Sequence, residues 1–243
     1  MKIVAIIQAR MGSSRLPGKV LTDLGGVTVL DRVLNRLRRS RLIQESLVAT
    51  TVEPADDAIV EHCARAGRKV FRGSELDVLD RYYQAARFIE ADVVVRITSD
   101  CPVIDPEVTD ATIRAFLDRS ADYASNILVR TYPRGLDAEV MTVQALERAW
   151  RESTKPYQRE HVTPYIYENP GDFKLHGIEN DADCTQHRWT VDTPEDLQLL
   201  RAIYARFGDR DDFGWREVLE LVESDPSLAD INRHIAQKAV HEG

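Results

Sequence analysis

Lys2-Ile3-Val4-Ala5-Ile6-Ile7-Gln8-Ala9-Arg10-Met11-Gly12-Ser13-Ser14-Arg15-Leu16-Pro17-Gly18-Lys19 begins as an apolar run and turns into a cationic loop with two glycines. Residues 2–9 read as a buried strand. The apolar stretch from Ile3 to Ile7 is too short for the core of a leader peptide, so a strand is expected there instead. A helix is expected over residues 29–39, with Leu30, Val33, Leu34 and Leu37 on one face. Strands over 47–51, 69–72 and 92–98 then alternate with helices over 55–66 and 76–90. The centre of the fourth strand, Val93-Val94-Val95, is apolar without alternation, the pattern of a strand covered on both faces. Such alternation implies right-handed crossovers and an α/β fold, a three-layer α/β/α arrangement around a mostly parallel, Rossmann-like sheet.

After a helix over 106–120 the rhythm loosens. Strands are expected over 137–142, 173–178 and 188–191, and helices over 143–152, 158–167, 194–207 and 215–222, before a polar helical tail. No Pro/Gly/Ser-rich linker or repeat divides residues 1–243, so a single domain is expected, with 122–178 as an elaboration at one end.

The 243 residues are 43% apolar and 30% charged, which excludes a disordered or fibrous chain. No apolar run approaches the roughly 18–20 residues that span a bilayer. Three scattered cysteines, Cys63, Cys101 and Cys184, argue against a disulfide framework and for a reducing, cytoplasmic setting. The net charge is −8, yet residues 1–46 hold nine basic side chains against three acidic ones, +6, leaving −14 elsewhere. A basic opening on an acidic chain suggests an anionic ligand held locally.

The loop is where that ligand is expected. It follows a buried strand, and ligands in open α/β sheets bind at the carboxyl ends of strands. Gly12 and Gly18 permit unusual backbone geometry. Amides around residues 12–15 can form an anion nest, with Arg10, Arg15 and Lys19 adding full charges. The spacing matches neither the Walker nor the dinucleotide glycine pattern. A solvated surface loop is the alternative.

The stretch IIQARMGSSRLPGKVL resembles the signature of sugar-acid cytidylyltransferases, the group that includes 3-deoxy-manno-octulosonate and acylneuraminate cytidylyltransferases. With Gln8 before Ala9-Arg10 and Met11-Gly12-Ser13-Ser14 after, it is most similar to the spore coat polysaccharide biosynthesis protein F family. The likeness continues in Asp77-Val78-Leu79-Asp80-Arg81-Tyr82, Arg96-Ile97-Thr98-Ser99-Asp100-Cys101-Pro102, Tyr132-Pro133-Arg134-Gly135-Leu136-Asp137, Arg159-Glu160-His161-Val162-Thr163 and Trp189-Thr190-Val191-Asp192-Thr193-Pro194-Glu195-Asp196. It implies a nucleotide-diphospho-sugar transferase fold, and a reaction in which an acceptor oxygen attacks the α-phosphate of CTP and pyrophosphate leaves. Ala9, Arg10, Met11, Gly12, Ser13, Ser14, Arg15, Lys19 and Ser99 are then expected to bind the nucleotide, with Arg10 and Lys19 offsetting charge on the leaving group.

Asp100 and Asp192 each end an expected strand and bring hard oxygen ligands to the same rim, the kind Mg²⁺ takes together with phosphate oxygens and water. The resemblance assigns the metal to the same two positions. Asp192 can alternatively serve as a cap, whereas Glu195 and Asp196, just inside a helix start capped by Thr193, read as structural. Ser99-Asp100-Cys101-Pro102 departs from the Gly-Asp-Glu-Pro of the octulosonate enzymes, which bears on the choice of sugar. Cys184-x-x-His187 lacks the second ligand pair that zinc requires.

By resemblance Arg72, Gly73, Ser74 and the stretch from Asp77 to Arg81 help cradle the nucleoside, although a Gly-Ser helix cap fits the first three equally. Tyr132, Arg134, Asp137, Glu139, His161 and Arg188 fall where family members build the acceptor pocket, for an anionic, sugar-like acceptor. His161 fits a general base or a packed helix residue. A homodimer, with 122–178 at the contact, is what the resemblance implies. Two rival functions remain: a nucleotide-sugar glycosyltransferase, for which the usual Asp-x-Asp is missing, and a nucleic-acid module built on Arg32, Arg36 and Arg39. Those arginines are expected on the solvated face of an amphipathic helix, so neither nucleic acid nor membrane is expected as a partner.

Overall fold

The computed structural model describes residues 1–236. Its strands are β1 (Ile3–Gln8), β2 (Glu45–Thr51), β3 (Lys69–Gly73), β4 (Val93–Thr98), β5 (Tyr123–Ser125), β6 (Glu139–Thr142) and β7 (Leu175–Gly177). They form one sheet in the order β3-β2-β1-β4-β6-β5-β7. The first four are parallel, β6 alone is reversed, and β7 runs parallel to β5. Helices α1 (Val29–Leu37), α2 (Asp57–Arg65), α3 (Val78–Phe88), α4 (Pro106–Arg119), α5 (Val143–Glu152), α6 (Pro156–His161), α7 (Pro164–Tyr167), α8 (Pro194–Arg206), α9 (Trp215–Ser224) and α10 (Pro226–Asp230) complete the chain.

β1 shows why both faces are covered. Ile3, Ala5 and Ile7 pack into one core with Leu30, Val33 and Leu37 of α1 and Ile113 of α4. Val4 and Ile6 face the other way, against Leu79, Tyr82 and Ala86 of α3 and Leu146 of α5. The period of two along the strand thus feeds two helical layers. A third core, around Trp189, Leu200, Tyr204 and Trp215, lies beneath the C-terminal helices. β5, β6 and β7 come from residues 122–178 and extend the same sheet at one end.

Three expectations fail. Residues 188–191 make no strand; only an isolated bridge joins Arg188 to Arg134, because this segment is held by single contacts such as Val191 N–H to Asp100 O at 2.8 Å. The expected helix over 158–167 is two short helices, since Val162 takes φ 73° and Pro164 cannot continue the α6 ladder. The arginine face of α1 is solvated only at Arg39. Arg32 and Arg36 are buried, lie over the rings of Tyr204 and Phe213, and donate to the carbonyls of Leu24, Gly25, Ile104, Asp209, Asp211 and Phe213. Arg39 adds bonds to the carbonyls of Asp211 and Asp212. Covered in this way, Arg32 and Arg36 present no guanidinium to a nucleic-acid backbone. Among the described residues, no helix is long and apolar enough to cross a membrane, and the three cysteines are free and buried.

Candidate active site

Protein contacts hold the cationic loop from its first residue. The carboxylate of buried Asp56 accepts Met11 N–H at 2.7 Å and also holds Thr51, tying the loop's start to the end of β2. Met11 O then accepts from Ser13 and Gly18, and Gly18 turns at φ 72° to launch the short helical turn Lys19–Leu21. Only a residue without a Cβ takes that φ at little cost. Among the described residues, the amides of Gly12, Ser14 and Arg15 have no protein acceptor.

That turn carries Lys19 inward. Its ammonium lies 2.8 Å from Asp100 Oδ2 and 2.8 Å from Asp192 Oδ1. Arg15 reaches the same Asp192 oxygen at 3.0 Å, and Arg188 takes Oδ2 at 2.5 Å. Burial opposes the charge on Lys19, but the two aspartates more than offset it and its pKa is raised. Burial likewise pushes Asp100 upward, and the Lys19 charge overcomes this to hold the carboxyl at about 2. Both groups are therefore charged near neutral pH. Arg188 is itself positioned by Asp196, a fully buried carboxylate that also caps α8 through the amides of Asp192 and Thr193.

These groups line a cavity of about 370 Å³. Ala9, Arg10, Gly12, Ser13, Ser14, Arg15, Lys19, Ser99, Asp100, His161 and Asp192, all expected at the site, are among its walls. Met11 is not; its side chain packs against the core. Arg72 donates to the carbonyls of Thr51 and Glu53 and pairs with Asp57. Gly73 pairs in the sheet with Thr51, and Ser74 serves Arg81 and the amide of Asp77. Asp77 caps α3 and holds Arg159 with both oxygens. None of these four lines the cavity, because local capping and pairing consume them.

The expected acceptor residues are mostly elsewhere too. Tyr132 packs edge-on against Trp215, and Asp137 is engaged by Arg130 through two bonds of 2.6 and 2.7 Å. Arg134 and Arg188 line a second cavity of about 350 Å³ behind Asp192. Glu139 is buried beneath the site, bound to Arg96, Tyr123 and Thr163. Arg81, at the end of the expected 77–81 cradle, lines the cavity, and Gln8, Glu75, Leu76, Arg96, Thr98 and Glu160 line it without having been assigned a role from sequence. An arginine within the apolar β4 was a legible signal for Arg96, since buried arginine requires a partner. Nothing local marked Glu75, which meets Arg10 at 3.3 Å across the loop.

The donor set suits a hard cation. Asp100 and Asp192 already hold an ammonium between them, and carboxylate oxygens completed by phosphate and water are what Mg²⁺ takes. Among the described residues no group of three or more His, Cys, Asp and Glu side chains forms a metal site of its own.

A family model described as cytidylyltransferase matches residues 4–221. The chain is 43% identical to an uncharacterized protein of Methanocaldococcus jannaschii, over 100% of this chain and 99% of the relative. It is 36% identical to the spore coat polysaccharide biosynthesis protein SpsF of Bacillus subtilis, over 93% of this chain and 96% of that one. A solved structure of a cytidylyltransferase from Leptospira borgpetersenii superposes with a TM-score of 0.91 at 36% identity, covering 98% of this chain and 100% of that chain. Since the matched span takes in the loop, both aspartates and every strand of the sheet, this chain belongs to the cytidylyltransferase family, among the nucleotidyltransferases.

Proposed function

We propose that this nucleotidyltransferase transfers a cytidylyl group from CTP to a hydroxyl of an anionic, sugar-like acceptor, giving a CMP-activated product and pyrophosphate for polysaccharide synthesis. The convergence of Lys19 with Asp100 and Asp192, beside amides that have no acceptor among the described residues, is the observation that carries this reading.

Arg10, Arg15, Lys19 and the amides of Gly12, Ser14 and Arg15 bind the triphosphate, where fixed donors in a partly closed cavity stabilise developing charge better than water does. Asp100 and Asp192 would hold magnesium, which when bound would supply neutralisation of phosphate charge. The acceptor oxygen bonds to the α-phosphorus, the bond from that phosphorus to the bridging oxygen breaks, and pyrophosphate leaves with the electron pair. The hydroxyl proton passes to His161, which lines the cavity. Arg96 and Glu160 line the same cavity.

A pyrophosphate-release screen of CTP, UTP, ATP and GTP against a panel of acidic sugars with Mg²⁺ tests the reading. Release with CTP and at least one acidic sugar is expected. Pyrophosphate release with a different triphosphate only, or none with CTP while a nucleotide sugar gives up its nucleoside mono- or diphosphate to the acceptor, overturns it.

A further inference from the structure

Two consecutive residues beside the cavity are held in backbone conformations their side chains disfavour. Val162, β-branched and fully buried, has φ 73° and ψ −55°. With Thr163 N–H donating to His161 O at 2.9 Å, it forms a three-residue γ-turn of the rare positive-φ kind. Thr163 follows in the helical region, φ −98° and ψ −11°, although the next residue is Pro164. The proline ring crowds a preceding residue out of that region. Strain of this kind persists only where the surroundings over-determine it, and it gathers at functional sites.

What holds the turn is visible. The Thr163 hydroxyl donates to Glu139 Oε2 at 2.6 Å, in the buried interior. The same oxygen accepts from Tyr123 at 2.6 Å, while Glu139 Oε1 takes Arg96. Arg96 also reaches Gln8 at 3.1 Å. One buried carboxylate therefore links two parts of the cavity wall, Arg96 on β4 and the chain leaving His161. On the other side of His161, Arg159 donates to both oxygens of Asp77 and to Trp150 O, fixing α6 to the start of α3. Glu160 and His161, the two α6 residues that line the cavity, are thus pinned from both ends.

We propose that the turn at Val162 and Thr163, anchored by Glu139, is a positioning device that sets His161 against the acceptor and so governs the transfer step. Neither residue of the turn lines the cavity, so both act through the histidine. This rests on the cytidylyl-transfer reading above.

The test uses the full-length chain with Val162→Gly, which accepts the backbone angle freely, and with Thr163→Val and Thr163→Ser. His161→Asn and the double variant Val162→Gly/His161→Asn complete a cycle. Val162→Gly and Thr163→Val are expected to lower kcat roughly ten- to a hundredfold, the scale of a misplaced reacting group, with the KM for CTP within about twofold. Thr163→Ser, which keeps the hydroxyl, restores most of the rate. In the His161→Asn background the effect of Val162→Gly vanishes, because coupled residues are not additive. Full activity in folded Val162→Gly, or losses that multiply in the double variant, overturns the proposal. A second readout is independent of the reaction: the imidazole ¹⁵N resonances of His161, identified by their loss in His161→Asn, should shift in Val162→Gly and Thr163→Val. If the wild type transfers no cytidylyl group but those resonances move, the transfer reading fails and the positioning of His161 stands; unmoved resonances remove the positioning itself.

Discussion

Arg188 donates to Asp192 Oδ2 at 2.5 Å, which leaves Oδ1 of that carboxylate to Lys19 and Arg15. The orientation of a site carboxylate is thus set from behind, by an arginine that is 7% exposed and shared with fully buried Asp196. Arg188→Ala removes one partner of a buried pair, a change that costs about 3–5 kcal/mol. A clear fall in melting temperature is expected, with kcat reduced about tenfold or more in the protein that remains folded. Arg188→Lys restores charge but not the fork that spans two carboxylates, so it should recover stability better than turnover. An unchanged melting temperature in Arg188→Ala contradicts this.

Gly135 sits at φ 105°, where an added Cβ would lie 2.5 Å from Trp189 O. Trp189 N–H donates to Arg134 O at 2.8 Å at this place, on the segment that leads to Asp192. Gly135→Ala must push that segment away. A loss of about 2–3 kcal/mol in chemical denaturation is expected, together with reduced turnover; a wild-type midpoint would show that the segment yields freely.

Arg36, wholly buried, donates to the carbonyls of Ile104, Asp211 and Phe213. Arg36→Met strands three acceptors, each costing about 1–3 kcal/mol when left unmade. At least about 3 kcal/mol of destabilisation is expected, measured by urea unfolding. Filter binding at low salt should show no retention of DNA or RNA by the wild type; salt-dependent retention lost on replacing exposed Arg38 and Arg39 would contradict that expectation.

Asp31 closes the capping box of α1 and also meets His62 and Arg68. Burial raises its pKa, but hydrogen bonds from Thr28 and His62 and the charge of Arg68 bring it below the ordinary 3.8. A depressed carboxylate contributes stability in full above its unfolded pKa and loses it as pH falls through the folded one. The stability gap between wild type and Asp31→Asn should therefore be level down to about pH 4 and close below it. A gap that does not change with pH removes this contribution.

Much of this was legible in the letters. The strand–helix alternation through residue 98 gave the parallel half of the sheet, and the loop after β1 and the strand-end aspartate Asp100 lie where strand ends put them. What escaped was settled by distant contacts. The arginine stripe of α1 has the spacing of a solvated face, and the carbonyls of Leu24, Gly25, Ile104, Asp209, Asp211 and Phe213 make it an anchor. Arg72, Ser74 and Asp77 carry the letters of a nucleotide cradle, yet caps and pairs nearby consume their polar groups. The three residues of β5 are too few to declare a period, and the reversal of β6 depends on pairing rather than propensity. Val162 has no local signal at all, since nothing in its letter calls for a positive φ.

The most direct measurement is the turnover of Lys19→Ala with CTP, Mg²⁺ and an acceptor that supports pyrophosphate release. If the ammonium between Asp100 and Asp192 stabilises charge on the triphosphate, kcat falls by about a hundredfold or more while circular dichroism stays that of the wild type. Turnover close to wild type in that folded variant would contradict the role assigned to Lys19.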